Sequence, residues 1–185
     1  MKLVKPKAEI LLQQPGLEGI YKQIELCGRT CYKSEDKITP ESAKPFVDRM
    51  IASGHTAMLE HGTVYLNFLC EQPIKVLHKN ETETVYDDTK VYHNLYEKYD
   101  RNPYSKVYES YAGLGAFMIS ISTNLRVLIE NDWLDDLQYL CEPTKYHERR
   151  ITFKLVTSIG VTRELNRHRV NSIAEQSTRY CNYRS

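Results

Sequence analysis

The chain has 185 residues, with 25 Lys and Arg against 24 Asp and Glu, so no global field selects nucleic acid or an anionic membrane as partner. No apolar run reaches the roughly 20 residues that span a bilayer, and the start, Met1-Lys2-Leu3-Val4-Lys5-Pro6, lacks a signal-peptide core. Five scattered cysteines do not make a disulfide framework, so the expectation is a soluble cytoplasmic protein with reduced thiols, folded as one domain.

Residues 2–12 alternate as a first strand, closed by the turn signal Gln13-Gln14-Pro15-Gly16. Residues 17–31 read as a helix with Ile20, Ile24, Leu26 and Cys27 turned inward. Cys27 and Cys31 stand four apart, as a pair of metal ligands would, but no second pair with zinc spacing accompanies them. They read as buried small residues, and no metal is assigned. Thr39-Pro40-Glu41 has the form of a helix start, with Thr39 as N-cap and Pro40 at the first position. Phe46, Val47, Met50 and Ile51 supply that helix's apolar stripe, and Gly54 ends it. The turn 55–61 then feeds a strand over 63–69, and loop residues held between two rigid elements are well placed for ligands. Its two histidines, His55 and His61, are by themselves structural more often than functional.

Residues 71–103 are polar, and seven tyrosines fall between Tyr86 and Tyr111, a cluster that suits amphipathic packing better than ring stacking. Residues 104–111 and 116–122 read as paired strands around Gly113-Leu114-Gly115. Residues 124–141 read as two helical pieces broken near Asn131-Asp132 and stopped by Pro143. Residues 150–157 alternate as a strand whose expected partner is 64–69, a pairing that would bring the His55 turn to the last part of the chain. The fold class is therefore α+β, an antiparallel or mixed sheet flanked by helices.

That last part holds the densest chemistry. Residues 162–169 lack Gly and Pro and should be helical, with Thr162 as N-cap. Arg163 and Arg167 share a face, whereas Arg169 lies about 200° further round from Arg167 at roughly 100° per residue. Ser172 and Glu175 have capping-box spacing, so a new turn or helix with free amides should begin at Ser172. Amides and guanidinium forks together suit phosphate or a planar imide edge. A solvated basic helix explains the same letters without a ligand.

The pattern Arg167-His168-Arg169, two residues, Ser172, then Glu175-Gln176-Ser177-Thr178-Arg179-Tyr180 resembles the signature of the flavin-dependent thymidylate synthases, the thymidylate synthase complementing protein family. A second stretch, Ser53-Gly54-His55-Thr56-Ala57-Met58-Leu59-Glu60-His61, is similar to the segment that precedes it in that family. The resemblance implies a homotetrameric enzyme that converts dUMP to dTMP by reductive methylation, using FAD, with NADPH and methylenetetrahydrofolate as co-substrates. Residue by residue, it implies cofactor binding by His55, Arg167, His168, Arg169 and Glu175, and dUMP binding by Arg167, Glu175, Gln176, Ser177 and Arg179. Arg179 would polarise the uracil ring and Ser177 would hold substrate beside it; these two are the catalytic candidates. Arg29 and Ser34 resemble the family's early arginine and serine, the other reading of Arg29 being a solvated helix-end cation.

Departures accompany the match. Ala57, Ala174 and Glu164 replace residues of other types, a segment of about 71–148 is inserted, and family members continue past the point where this chain stops at Ser185. The expectation is a single domain over 1–185, truncated at its C-terminus, with weak or absent turnover. Two other classes stay open: a nucleotide- or RNA-binding module using Arg163, Arg167, Arg169, Arg179 and Arg184 with Tyr180 and Tyr183, and an inactive structural homologue.

Overall fold

The structure is a computed structural model that describes residues 5–71, 75–78, 81–84, 89–113, 116–168, 170–177 and 181. The expected site residues Arg169 and Arg179, the motif residues Thr178 and Tyr180, the Leu114-Gly115 turn, and Tyr86, Tyr183 and Arg184 lie outside the described residues. In chain order the elements are β1 (Lys7–Leu11), α1 (Gly16–Tyr32), α2 (Ala43–Ala52), β2 (Thr63–Glu71), β3 (Lys75–His78), β4 (Glu81–Thr84), α3 (Thr89–Asp100), β5 (Lys106–Gly113), β6 (Ala116–Asn124), α4 (Leu125–Glu130), β7 (Thr152–Val156) and α5 (Ile159–Leu165). Short 3₁₀ segments at Glu35–Lys37, Thr56–His61 and Leu134–Tyr139 join them. The class is α+β with antiparallel sheets and flanking helices, as the periodicities indicate.

The chain divides into two compact units, one of Met1–Thr63 with Arg150–Ser185 and one of Val64–Arg149. In the first, α1 buries Ile20, Ile24 and Cys27, and α2 buries Phe46 and Val47. A Cβ on Gly28 would stand 2.6 Å from the Phe46 ring, and one on Gly62 would stand 2.5 Å from Ile24 Cδ1, so these glycines let α1 approach α2 and the 3₁₀ turn. The Gln13 side-chain amide receives the Thr63 N–H and donates to the Thr63 carbonyl, both at 2.8 Å, and so ties Thr63 to the segment after β1.

The second unit is built on the sheet β2-β6-β5, with the separate pair β3-β4. β5 and β6 run antiparallel from Lys106↔Ser122 to Gly113↔Ala116, the expected hairpin. Ile119, Ile121, Leu125 and Leu128 are buried. Tyr99, also buried, donates to Asp136 Oδ2 at 2.7 Å and meets the Trp133 ring edge-on at 5.0 Å. The tyrosines divide: Tyr99 packs, while Tyr104, Tyr108 and Tyr111 are exposed. The helical break falls where expected, with Asp132 at φ 60°.

Three expectations are corrected. First, β7 pairs with β1, not β2, in register Lys7↔Val156 through Leu11↔Thr152. Both strands alternate, and alternation selects a face, not a partner; β2 is taken by β6. Second, α2 starts at Ala43 and not at Pro40, because Ser42 Oγ receives the Thr39 N–H at 2.8 Å and closes a separate turn first. Pro45, in the first helical turn, forfeits no bond there either. Third, α5 begins at Ile159 behind Ser158, leaving Thr162 inside it. Thr162 donates instead to the Ile159 carbonyl at 3.0 Å.

Candidate functional site

α1 leaves its last carbonyls without helical partners, and one of them organises the C-terminal stretch. The Cys31 carbonyl accepts the Ser177 N–H at 2.8 Å, and the Cys181 thiol points at the same oxygen from 3.8 Å. The Cys181 N–H returns to the Ser177 carbonyl at 3.3 Å, so Ser177 and Cys181 are bonded to one another and both meet the end of α1. The letters around Cys31 do not advertise this docking: the acceptor is a backbone oxygen, and only the helix end, placed by the 3.6 period, signals it.

Two polar contacts orient the preceding residues. Asn166, the C-cap of α5, donates through Nδ2 to Glu175 Oε2 at 2.7 Å. The Thr162 hydroxyl, shared between the Ile159 carbonyl and Glu175, and the Asn166 amide hold the Glu175 carboxyl below its ordinary range, with a smaller contribution from the Arg163 charge. Arg150 Nη2 donates to Ser172 Oγ at 3.4 Å. The capping box expected of Ser172 and Glu175 is therefore not built: each side chain binds a partner at a distance and 172–177 forms no helix. Asn166 and Arg150, which position the motif, escaped the sequence reading because neither belongs to it.

The remaining candidates are placed as follows. Arg167 is exposed and its Nη1 donates to Glu164 Oε2 at 3.0 Å, the pairing that relieves the extra carboxylate in this region. His168 and Gln176 are exposed, and Ser177 is half-buried. His55 is exposed ahead of the 3₁₀ turn, after Gly54 at φ 71°, and its N–H binds the Met50 carbonyl at 2.9 Å. The strand pairing expected to join it to the arginine stretch does not form, yet both belong to the same compact unit. His61 has a buried Nε2 without a hydrogen-bond partner, and burial lowers its pKa from the ordinary histidine value. Arg29 is neither solvated nor on the surface: its Nε donates to Glu25 Oε1 at 2.7 Å, its guanidinium lies 5.1 Å from the Phe46 ring centre, and Ser42 Oγ donates to Glu25 at 2.9 Å. Ser34, the other early candidate, precedes the Glu35–Lys37 turn and donates its N–H to the Arg29 carbonyl at 3.0 Å.

Chemically, the described part of this region offers guanidinium and imidazole donors from Arg150, Arg163, Arg167 and His168, an ionised carboxylate at Glu175 and a hydroxyl at Ser177. Such a set suits a phosphorylated ligand bearing hydroxyl and imide groups. Among the described residues no helix is long and apolar enough to cross a membrane. Comparison with curated proteins finds no match to the chain, nor does comparison with solved structures. A family match covers residues 144–185, less than a quarter of the chain, and includes β7, α5 and the docked motif but not the His55 turn. That segment matches the thymidylate synthase complementing protein family, the same family its arginine-rich motif resembles.

Proposed function

We propose that the chain is a flavin-dependent thymidylate synthase, one domain with an inserted segment of about 71–148, which methylates dUMP reductively to dTMP. The observation that carries this reading is the seating of the family-matched motif on α1 through Ser177 and Cys31, with Glu175 held by Asn166. FAD is the cofactor implied; the donor set of Arg150, Arg163, Arg167 and His168 fits its pyrophosphate. When bound, it supplies redox chemistry and carries the one-carbon unit from methylenetetrahydrofolate, with NADPH as electron source.

The protein's own residues then bind, orient and neutralise. His55, Arg167, His168, Arg169 and Glu175 hold the cofactor; Arg167, Glu175, Gln176, Ser177 and Arg179 hold dUMP. Glu175 enters ionised and orients hydroxyl or guanidinium groups, since Thr162 and Asn166 stabilise its charged form. Arg167 reaches an anion only by sharing or leaving Glu164. Arg179 beside the imide edge stabilises charge developing on the uracil carbonyl oxygen, with Ser177 fixing the ring.

Assembly is a homo-oligomer, expected to be a tetramer in the cytoplasm. In its support, the cross-strand neighbours Ile10 and Phe153 are 56% and 54% exposed on the β1-β7 ribbon, beside exposed Leu12, Ile151 and Leu155. Calorimetric titration of dUMP into protein equilibrated with FAD tests the reading. Saturable binding that weakens by at least about tenfold in Glu175→Ala and Ser177→Ala is expected; dUMP affinity unchanged by both substitutions removes the motif from the site.

A further inference from the structure

Cys31 and Cys181 lie 150 residues apart in sequence, yet the Cys181 thiol sits 3.8 Å from the Cys31 carbonyl, and the Ser177 N–H holds that same oxygen at 2.8 Å. We propose that this pair is an oxidation site, at which a small-molecule disulfide converts the two thiols to a Cys31–Cys181 disulfide that ties Cys181 covalently to the end of α1.

The geometry assigns the order of steps. Cys31 is half-buried and the more accessible residue, whereas Cys181 is 9% exposed. Cys31, as thiolate, attacks one sulfur of oxidised glutathione and expels one glutathione thiolate. Cys181, as thiolate, then attacks the Cys31 sulfur of the mixed disulfide and expels the second. Two protein thiols lose two protons and two electrons, and one small disulfide becomes two small thiols. Cys27 does not compete: it is buried on α1 and burial pushes its thiol up to about 12, which leaves almost no thiolate.

The surroundings set the rate. Burial raises the Cys31 pKa, and the nearby Cys181 and Glu175 raise it further. Exchange is therefore slow near neutrality and rises about tenfold per pH unit while the thiolate remains the minor form. Closure ties the family-matched segment covalently to α1, but nothing in the reaction depends on flavin or nucleotide.

Tryptic mapping under non-reducing conditions reads the bond directly, because cleavage after Arg29 and Lys33 isolates Thr30-Cys31-Tyr32-Lys33 from Cys27, and cleavage after Arg179 and Arg184 isolates Tyr180-Cys181-Asn182-Tyr183-Arg184. The full chain treated with oxidised glutathione is expected to give these two peptides linked, lighter by two hydrogens than their reduced sum, and faster at higher pH. Cys31→Ser and Cys181→Ser abolish the species, while Cys141→Ser leaves it. Reduced peptides only, glutathione adducts that never resolve into the linked species, or a dominant link to another cysteine would each overturn the proposal. The wild-type map decides this even where a variant fails to fold.

Discussion

Glu25 and Arg29 show how far a single residue's neighbours carry. Glu25 is 1% exposed, so its charge is tolerable only because Arg29 and Ser42 both donate to it. Arg29→Ala leaves that carboxylate unpaired and should lower unfolding free energy in urea by about 3–5 kcal/mol. A loss under about 1 kcal/mol would mean that solvent reaches Glu25 freely. The spacing of four between the two residues is plain in the sequence, but their burial is not, because Phe46 and Ser42 that enclose them come from a later segment.

His61 and His147 extend the argument to pH. Burial is the main cause holding both below the ordinary histidine value; in His147 the ring is also fixed, Nδ1 accepting the Thr144 N–H at 3.0 Å and Nε2 lying 3.0 Å from the Leu66 carbonyl, to which it donates. The unfolded chain therefore binds protons that the folded one refuses. Their contribution to stability is complete above about pH 6.5 and drains away as pH falls from there toward the depressed folded values. Melting temperature should drop between about pH 6.5 and 5, and His147→Gln should flatten part of that drop; an unchanged melting temperature across this range contradicts the buried neutral rings.

Among elements, α1 governs the region that matters. Its C-cap Lys33 is left-handed at φ 51°, a conformation that costs a side chain about 1 kcal/mol and glycine almost nothing. Lys33→Gly should accordingly stabilise by about 0.5–1 kcal/mol in urea unfolding; destabilisation would mean that the lysine side chain matters more than its backbone. Gly62→Ala tests the other side of the same helix, where a new methyl meets Ile20 and Ile24 below 3.0 Å. Overpacking of that kind typically costs 1–3 kcal/mol, and a neutral result would show the turn to be loosely packed.

Helix and strand identities were legible where one period dominated, as in α1, β5 and β6. Strand partnership was not. β1 and β7 sit at opposite ends of the chain, and local letters carry no record of a meeting between residues 7–11 and 152–156. The start of α5 differs from the sequence expectation for a related reason: Thr162 has the form of a cap, but Ser158 has it equally and comes first. The motif's letters resemble the family that the segment match also names, whereas its docking through a backbone carbonyl left no mark in side-chain identity.

For the whole molecule, the two units call for different readings. Val64–Arg149 carries a sheet and buried tyrosine network of its own, whereas the family-matched motif and the His55 turn both reside with α1 and α2. If the proposed oligomer forms through the exposed apolar face of β1 and β7, then Phe153→Glu should shift sedimentation to smaller species while leaving the far-ultraviolet dichroism unchanged. Sedimentation identical to wild type would place the interface elsewhere. Absorbance spectroscopy tests most directly the proposal that the family-matched segment gathers flavin and uridine nucleotide. On addition to the purified chain, FAD should show a saturable change in its visible bands, and dUMP should change them again; visible bands identical to those of free flavin at every protein concentration, with dUMP or without, would contradict it.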